Sequence, residues 1–97
     1  MKYVSDIESI VKSECTSHDG ITYKYELRSF ESRSVASFGI VLYEICIEMK
    51  IKDSISFYKT GGIFSDIERA MRFFEMLRKN LATPYDLPYI IEDSFSF

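Results

Sequence analysis

The residues that come nearest to a catalytic set are Ser9-Ile10-Val11-Lys12 and Lys59-Thr60-Gly61. In a Ser-x-x-Lys, the lysine amine can take the serine proton so that the hydroxyl attacks an acyl group, and a Lys-Thr-Gly ending a strand can line the same cleft. That chemistry also needs a Ser-Asp-Asn element and a cleft between two subdomains. The chain has no such element, and its 97 residues are too few for the cleft. Short patterns of common residues arise by chance, which is the simpler account here.

The other reactive residue types are scattered. His18 is the single histidine and falls in a predicted turn, as a polar loop residue does. Cys15, Cys46 and His18 lack the fourth ligand and the CxxC-type spacing of a zinc site. Glu92 and Asp93 are adjacent, so on a helix they diverge by about 100° and form no acid/base dyad. Glu44 and Glu48 share a strand face, where alternating charge on a solvent side is the common arrangement. Gly61-Gly62 is not followed by the lysine and hydroxyl residue of a phosphate loop. The sequence therefore assigns no catalytic, cofactor or metal residue, and the expectation is a protein that is not an enzyme.

Aromatics are the remaining candidates. Tyr23, Tyr25, Tyr43 and Phe57 fall on the strand positions predicted to face inward, as core or as the wall of a ligand pocket built on Tyr23, Tyr25 and Tyr43. Tyr85, Tyr89, Phe95 and Phe97 crowd an acidic C-terminal stretch with little chain left to cover them. Exposed aromatics of that kind suit a partner surface. The alternative is that the last residues pack back over an apolar patch at Phe38, Ile40 and Leu42.

The elements that would position these residues follow from one change of period. Ile21, Tyr23, Tyr25, Leu27 and then Val41, Tyr43, Ile45, Ile47, Met49, Ile51 alternate as on strands. Beyond Ser65, the residues Ile67, Ala70, Met71, Phe74, Leu77 and Leu81 instead form one helical stripe. A sheet face and a helix stripe must cover one another. The segment from Ile7 to Cys15 reads as either strand or helix turn. The Asp19-Gly20 turn favours a hairpin of Glu8–Thr16 with Ile21–Glu31. A long strand is predicted over Ala36–Ile51, apolar on both faces at Phe38, Ile40 and Leu42, and a short one over Ile55–Lys59 with Ile55 and Phe57 inward. Ser65 and Glu68 suggest a capping box opening a helix over Asp66–Leu81. A second helix is expected from Pro84 or Tyr85 to Asp93, with Pro88 tolerated in its first turn. The expected class is α+β, an antiparallel meander of three to four strands followed by one long and one short helix, ββββαα, the long helix on one sheet face.

Length and charge narrow the setting. A chain of 97 residues is expected to form a single domain over residues 1–97, with a strand-rich half at 1–60 and a helical half at 65–93. Its 46% apolar content is ample for one core, while the longest apolar run, Phe38 to Tyr43, is far short of the roughly 20 residues of a membrane span. Asp6 and Glu8 interrupt any secretory signal, so a cytoplasmic location with reduced, buried thiols at Cys15 and Cys46 is expected. The net charge of −3 carries no basic cluster. Arg69, Arg72, Arg78 and Lys79 are offset by Glu68 and Glu75 four residues before Arg72 and Lys79, so neither nucleic acid nor membrane is an expected partner.

Phe38-Gly39-Ile40, the strand through Ile55, the Asp66-Ile67 helix start and Thr83-Pro84 with Leu87, Ile90, Glu92 and Asp93 together resemble a family of short Firmicutes proteins, domain of unknown function 6514. The resemblance spans residues 21 to 93, and the Ile90-Ile91 pair beside Tyr89 shifts the spacing of the ending. It implies a bacterial, cytoplasmic protein, as in a spore-forming anaerobe, and carries over no activity, cofactor or catalytic residue.

Two functions are weighed. The first is a non-enzymatic interaction module that binds a protein partner or itself as a homodimer, through Phe38, Ile40, Leu42, Tyr85, Tyr89, Phe95 and Phe97. The alternative is a small-ligand-binding domain with its pocket at Tyr23, Tyr25 and Tyr43, between the helix and the sheet.

Overall fold

Residues 9–31 and 39–94 are described by the structure, a computed structural model. Strands β1 (Ser9–His18), β2 (Ile21–Glu31), β3 (Val41–Ile51) and β4 (Ser54–Lys59) precede helices α1 (Ile67–Lys79) and α2 (Leu87–Ser94). The strands form one antiparallel sheet in the order β1-β2-β3-β4. The α+β, ββββαα reading is therefore correct, and the ambiguous first segment is strand from Ser9 onward.

Register decides which face is inside. Tyr23, Tyr25 and Leu27 of β2 lie opposite Met49, Ile47 and Ile45 of β3, and these six are buried with Phe64, Ala70, Phe74, Leu77, Ala82 and Leu87. The α1 stripe thus closes the face built by the odd-numbered residues of β2 and β3. Lys52-Asp53 turns β3 into β4 by pairing Ile51 with Ser54, which sets Met49 opposite Ser56 and Glu48 opposite Phe57. That pairing overturns the inward placement of Ile55 and Phe57: they share the outer face with Glu48 and Lys50, and remain 60% and 51% exposed. Alternation alone separates two faces without saying which is covered.

Local details also move. The helix cap is Asp66, whose carboxylate accepts from the Glu68 N–H at 3.0 Å, one residue beyond the predicted Ser65. A carboxylate beside the positive helix end outcompetes a hydroxyl. The helix ends at Lys79, earlier than Leu81, because Leu81 adopts a φ of 50°. Its N–H bonds to the Arg78 carbonyl and that of Ala82 to the Leu77 carbonyl, the two bonds of a Schellman motif, with leucine where glycine is usual. Before α2, Thr83 and Asp86 cap each other's backbone: Thr83 N–H donates to Asp86 Oδ2 at 3.0 Å and Asp86 N–H to Thr83 Oγ1 at 3.2 Å.

β3 starts at Val41, after Gly39 at a φ of 87°, so the long strand is shorter than expected. Phe38 lies outside the described residues. Leu42 pairs with Phe30 on the outer face, and the segment after β4 crosses both. A Cβ on Gly62 would come within 2.7 Å of Phe30 Cζ, so only glycine passes there without displacement.

Candidate interaction surface

Each residue with chemical potential can now be located. Ser9 and Lys59 lie on opposite edge strands of the sheet, so the two halves of the acyl-enzyme pattern never meet. Lys12 is committed to Glu75, with Nζ 2.6 Å from Oε2, and Thr60 Oγ1 accepts from the Ile45 N–H while donating to the Gly61 carbonyl. His18 is exposed beside Asp19. Cys46 is buried as expected, but Cys15 is exposed, because it falls on the outer face of an edge strand. Among the described residues, no cluster of three or more histidine, cysteine, aspartate or glutamate side chains could hold a metal ion. No helix among them is long and apolar enough to cross a membrane.

Two charged clusters flank the core. On the helix side, Lys12 and Arg78 converge on Glu75, with Arg78 Nη2 at 2.6 Å from Oε1, strapping edge strand β1 to α1. The hydrogen bonds from Lys12 and then Arg78 hold the Glu75 carboxyl down at about 2. Because this folded-state value lies below the ordinary 4.5, the strap's contribution is complete above pH 4.5 and is lost as pH falls towards 2. Glu75→Gln should therefore flatten the acid limb of the stability curve in that window, as read by thermal melts across it. An unchanged limb would deny the strap its role.

The second cluster is on the outer face, where Glu44 was expected to meet solvent. Glu44 is instead 2% exposed and Glu26 6%. Arg28 donates to Glu26 Oε1 through Nη2 at 2.6 Å and lies 4.0 Å from Glu44, while Lys24 Nζ is 3.2 Å from Glu26. Burial raises the Glu26 pKa, but the hydrogen bonds from Arg28 and Lys24 outweigh it and hold the carboxyl below its ordinary range. Sequence reading missed Glu26 and Arg28. The signal was present in register, since Lys24 faces Glu48 and Arg28 faces Glu44 across the strands.

Tyr23 and Tyr25 are both buried and stack with ring centres 6.3 Å apart. Tyr25 donates its hydroxyl to the Ala82 carbonyl at 2.8 Å, and burial first, then Tyr23 and Asp86, push the phenol up to about 12. The hydroxyl suggested for ligand orientation is thus already engaged. Tyr43 is half-buried, its backbone bridged to Phe64.

The aromatic candidates at the C-terminal end are arranged differently. Tyr85 and Tyr89 are 65% and 74% exposed, and with Pro84 and Pro88 they face β4 across a cleft of about 450 Å³ that Phe57 and Tyr58 complete. Tyr85 Oη and Ser56 Oγ share a hydrogen bond of 2.7 Å, which ties the turn before α2 to the strand. Ile40, exposed, and Leu42, partly buried, lie towards the start of β3, apart from this cleft. Phe95 and Phe97 fall outside the described residues. Phe57 and Tyr58 were missed as surface residues, because nothing local in sequence shows that β4 is an edge.

This arrangement is joined by one comparison. The model of a family of unknown function, DUF6514, matches residues 6–96. The chain belongs to that family. The match extends the resemblance of residues 21–93 over β1 and the C-terminal residues, so in this DUF6514 chain it takes in all six elements. No curated protein and no solved structure matches the DUF6514 chain.

Proposed function

We propose that this chain is a non-enzymatic protein-interaction module of the bacterial cytoplasm that docks its partner along β4 and the aromatic cleft beside it. One observation carries the reading: Tyr85, Tyr89 and Tyr58 gather with two prolines against an edge strand. Tyrosine and phenylalanine are the side chains that interfaces concentrate, and an edge strand offers backbone donors and acceptors for an added strand. Cysteines outside any disulfide, Cys15 and Cys46, suit a reducing compartment. A mildly acidic surface favours a protein over a nucleic acid or a lipid headgroup as partner.

A photo-cross-linking side chain placed at Tyr89, compared with one at exposed Arg72 on α1, tests the reading in bacterial cells. The expected result is defined cross-linked protein at position 89, lost on Tyr85→Ser and absent at 72. Equal diffuse labelling at both positions would sink it.

A further inference from the structure

We infer that the occupant of the β4 edge is a second copy of this chain, paired antiparallel about a twofold axis at Ser56 so that two four-stranded sheets become one of eight. The inference rests on the reading of β4 as a docking edge and names what docks there.

The backbone sets which residues can pair. In an antiparallel ladder successive residues turn their N–H and C=O groups to alternate sides. Thr60 reaches β3 through its N–H to the Ile45 carbonyl, so the even-numbered residues of β4 are turned inward. Ile55 and Phe57 then hold their backbone groups towards the open edge, and no described residue outside the sheet bonds to them. A second copy must meet these two.

Side chains select one register. With the twofold at Ser56, Ile55 lies opposite Phe57 of the second copy and Phe57 opposite its Ile55, giving two hydrogen-bonded apolar pairs on the outer face. The same register sets Asp53 opposite Lys59 at both ends, two pairs of opposite charge, and leaves Ser54 opposite Tyr58 on the face that carries the aromatic cleft. Sliding by two residues one way puts Ile55 opposite Lys59 and Asp53 opposite Gly61. Sliding the other way puts Asp53 opposite Phe57. One segment, Asp53–Lys59, is thus complementary to itself in charge and in hydrophobicity, as a twofold contact requires. β1 differs as an edge, since a bulge at Val11 interrupts its pairing with β2 near its start, whereas β4 pairs with β3 without interruption.

The wild-type chain is weighed by light scattering over a concentration series reaching about 1 mM, where even weak self-association registers. A concentration-dependent dimer is expected. Asp53→Lys and Lys59→Asp should each weaken it about ten-fold at low salt, and the double reversal should restore it. Register is read by cysteine coupling in a Cys15→Ser background. Ser56→Cys brings two thiols together at a non-hydrogen-bonded pair, where Cα atoms lie about 4.5 Å apart, within disulfide reach. Phe57→Cys faces Ile55 and should couple at least about ten-fold more slowly, the pairing being strictly alternate.

A chain that stays monomeric overturns the inference. So does a dimer indifferent to charge reversal, or one in which Phe57→Cys couples faster. A monomer that still yields a defined cross-link at Tyr89 overturns only the second copy as occupant; a monomer without that cross-link overturns the docking reading with it.

Discussion

Phe74→Ala is expected to lower the unfolding free energy by about 3–5 kcal/mol, as the loss of a fully buried aromatic ring does. Phe74 is fully buried at the middle of α1, between Ala70 and Leu77, where the helix stripe meets the odd face of β2 and β3. Its ring also carries the Lys12 ammonium 5.8 Å from its centre, under the strap to Glu75. Removing the ring leaves a void in a core cluster that also holds Tyr25, Phe64 and Leu77, all fully or almost fully buried. Domains of this size are stable by only about 5–15 kcal/mol, so the variant should sit near the edge of folding. Urea titration followed by far-ultraviolet circular dichroism gives the number. A loss under about 1.5 kcal/mol, the scale of a conservative core swap, would mean that the helix is not seated through this residue.

The second large effect is electrostatic. Arg28→Met keeps most of the stem that lies on the outer sheet face but removes the guanidinium between two buried carboxylates. Breaking a buried pair by deleting one partner costs about 3–5 kcal/mol, because the buried charge loses compensation that water does not restore. Lys24 stays beside Glu26 and should hold the loss near the lower figure. The pH dependence separates charge from packing. In the wild type the Glu26 carboxyl is held below its ordinary range, so its contribution is present above the unfolded value of 4.5 and fades below it. Without Arg28 the same carboxyl rises above that value, so the deficit against wild type is greatest at neutral pH and shrinks on acidification. Unfolding titrations of both proteins at neutral and mildly acid pH test this directly. A deficit that does not change with pH would assign Arg28 a packing role alone.

The strands and helices could be read because each is amphipathic at its own period, and the tight turn at Asp19-Gly20 leaves one hairpin to build. Side-chain contacts needed the register. Glu44 looked like a solvated charge because a single strand cannot show that Arg28 stands opposite it. Phe57 looked like core because the same alternation serves either face, and only the pairing of Ile51 with Ser54 settles which. The reciprocal cap expected at Ser65 and Glu68 is formed instead between Thr83 and Asp86, in the turn before α2, which opens at Leu87 and not at Pro84 or Tyr85. The aromatic cleft was half legible: Tyr85 and Tyr89 stood out as uncovered rings, while the strand they face became visible only with the sheet order.

That order gives the molecule two unlike rims, β1 with a bulge at Val11 and β4 with none. A sheet regular on both sides could add copies head to tail without end, each new subunit exposing the edge that recruits the next. Here the bulge at Val11 distorts β1 near its start, while Lys12 to His18 stay in register with β2. The proposed pairing of β4 with β4 would use the same rim of both molecules at once. Association through that rim would then end at two, closed against the open-ended fibre that an apolar edge strand invites.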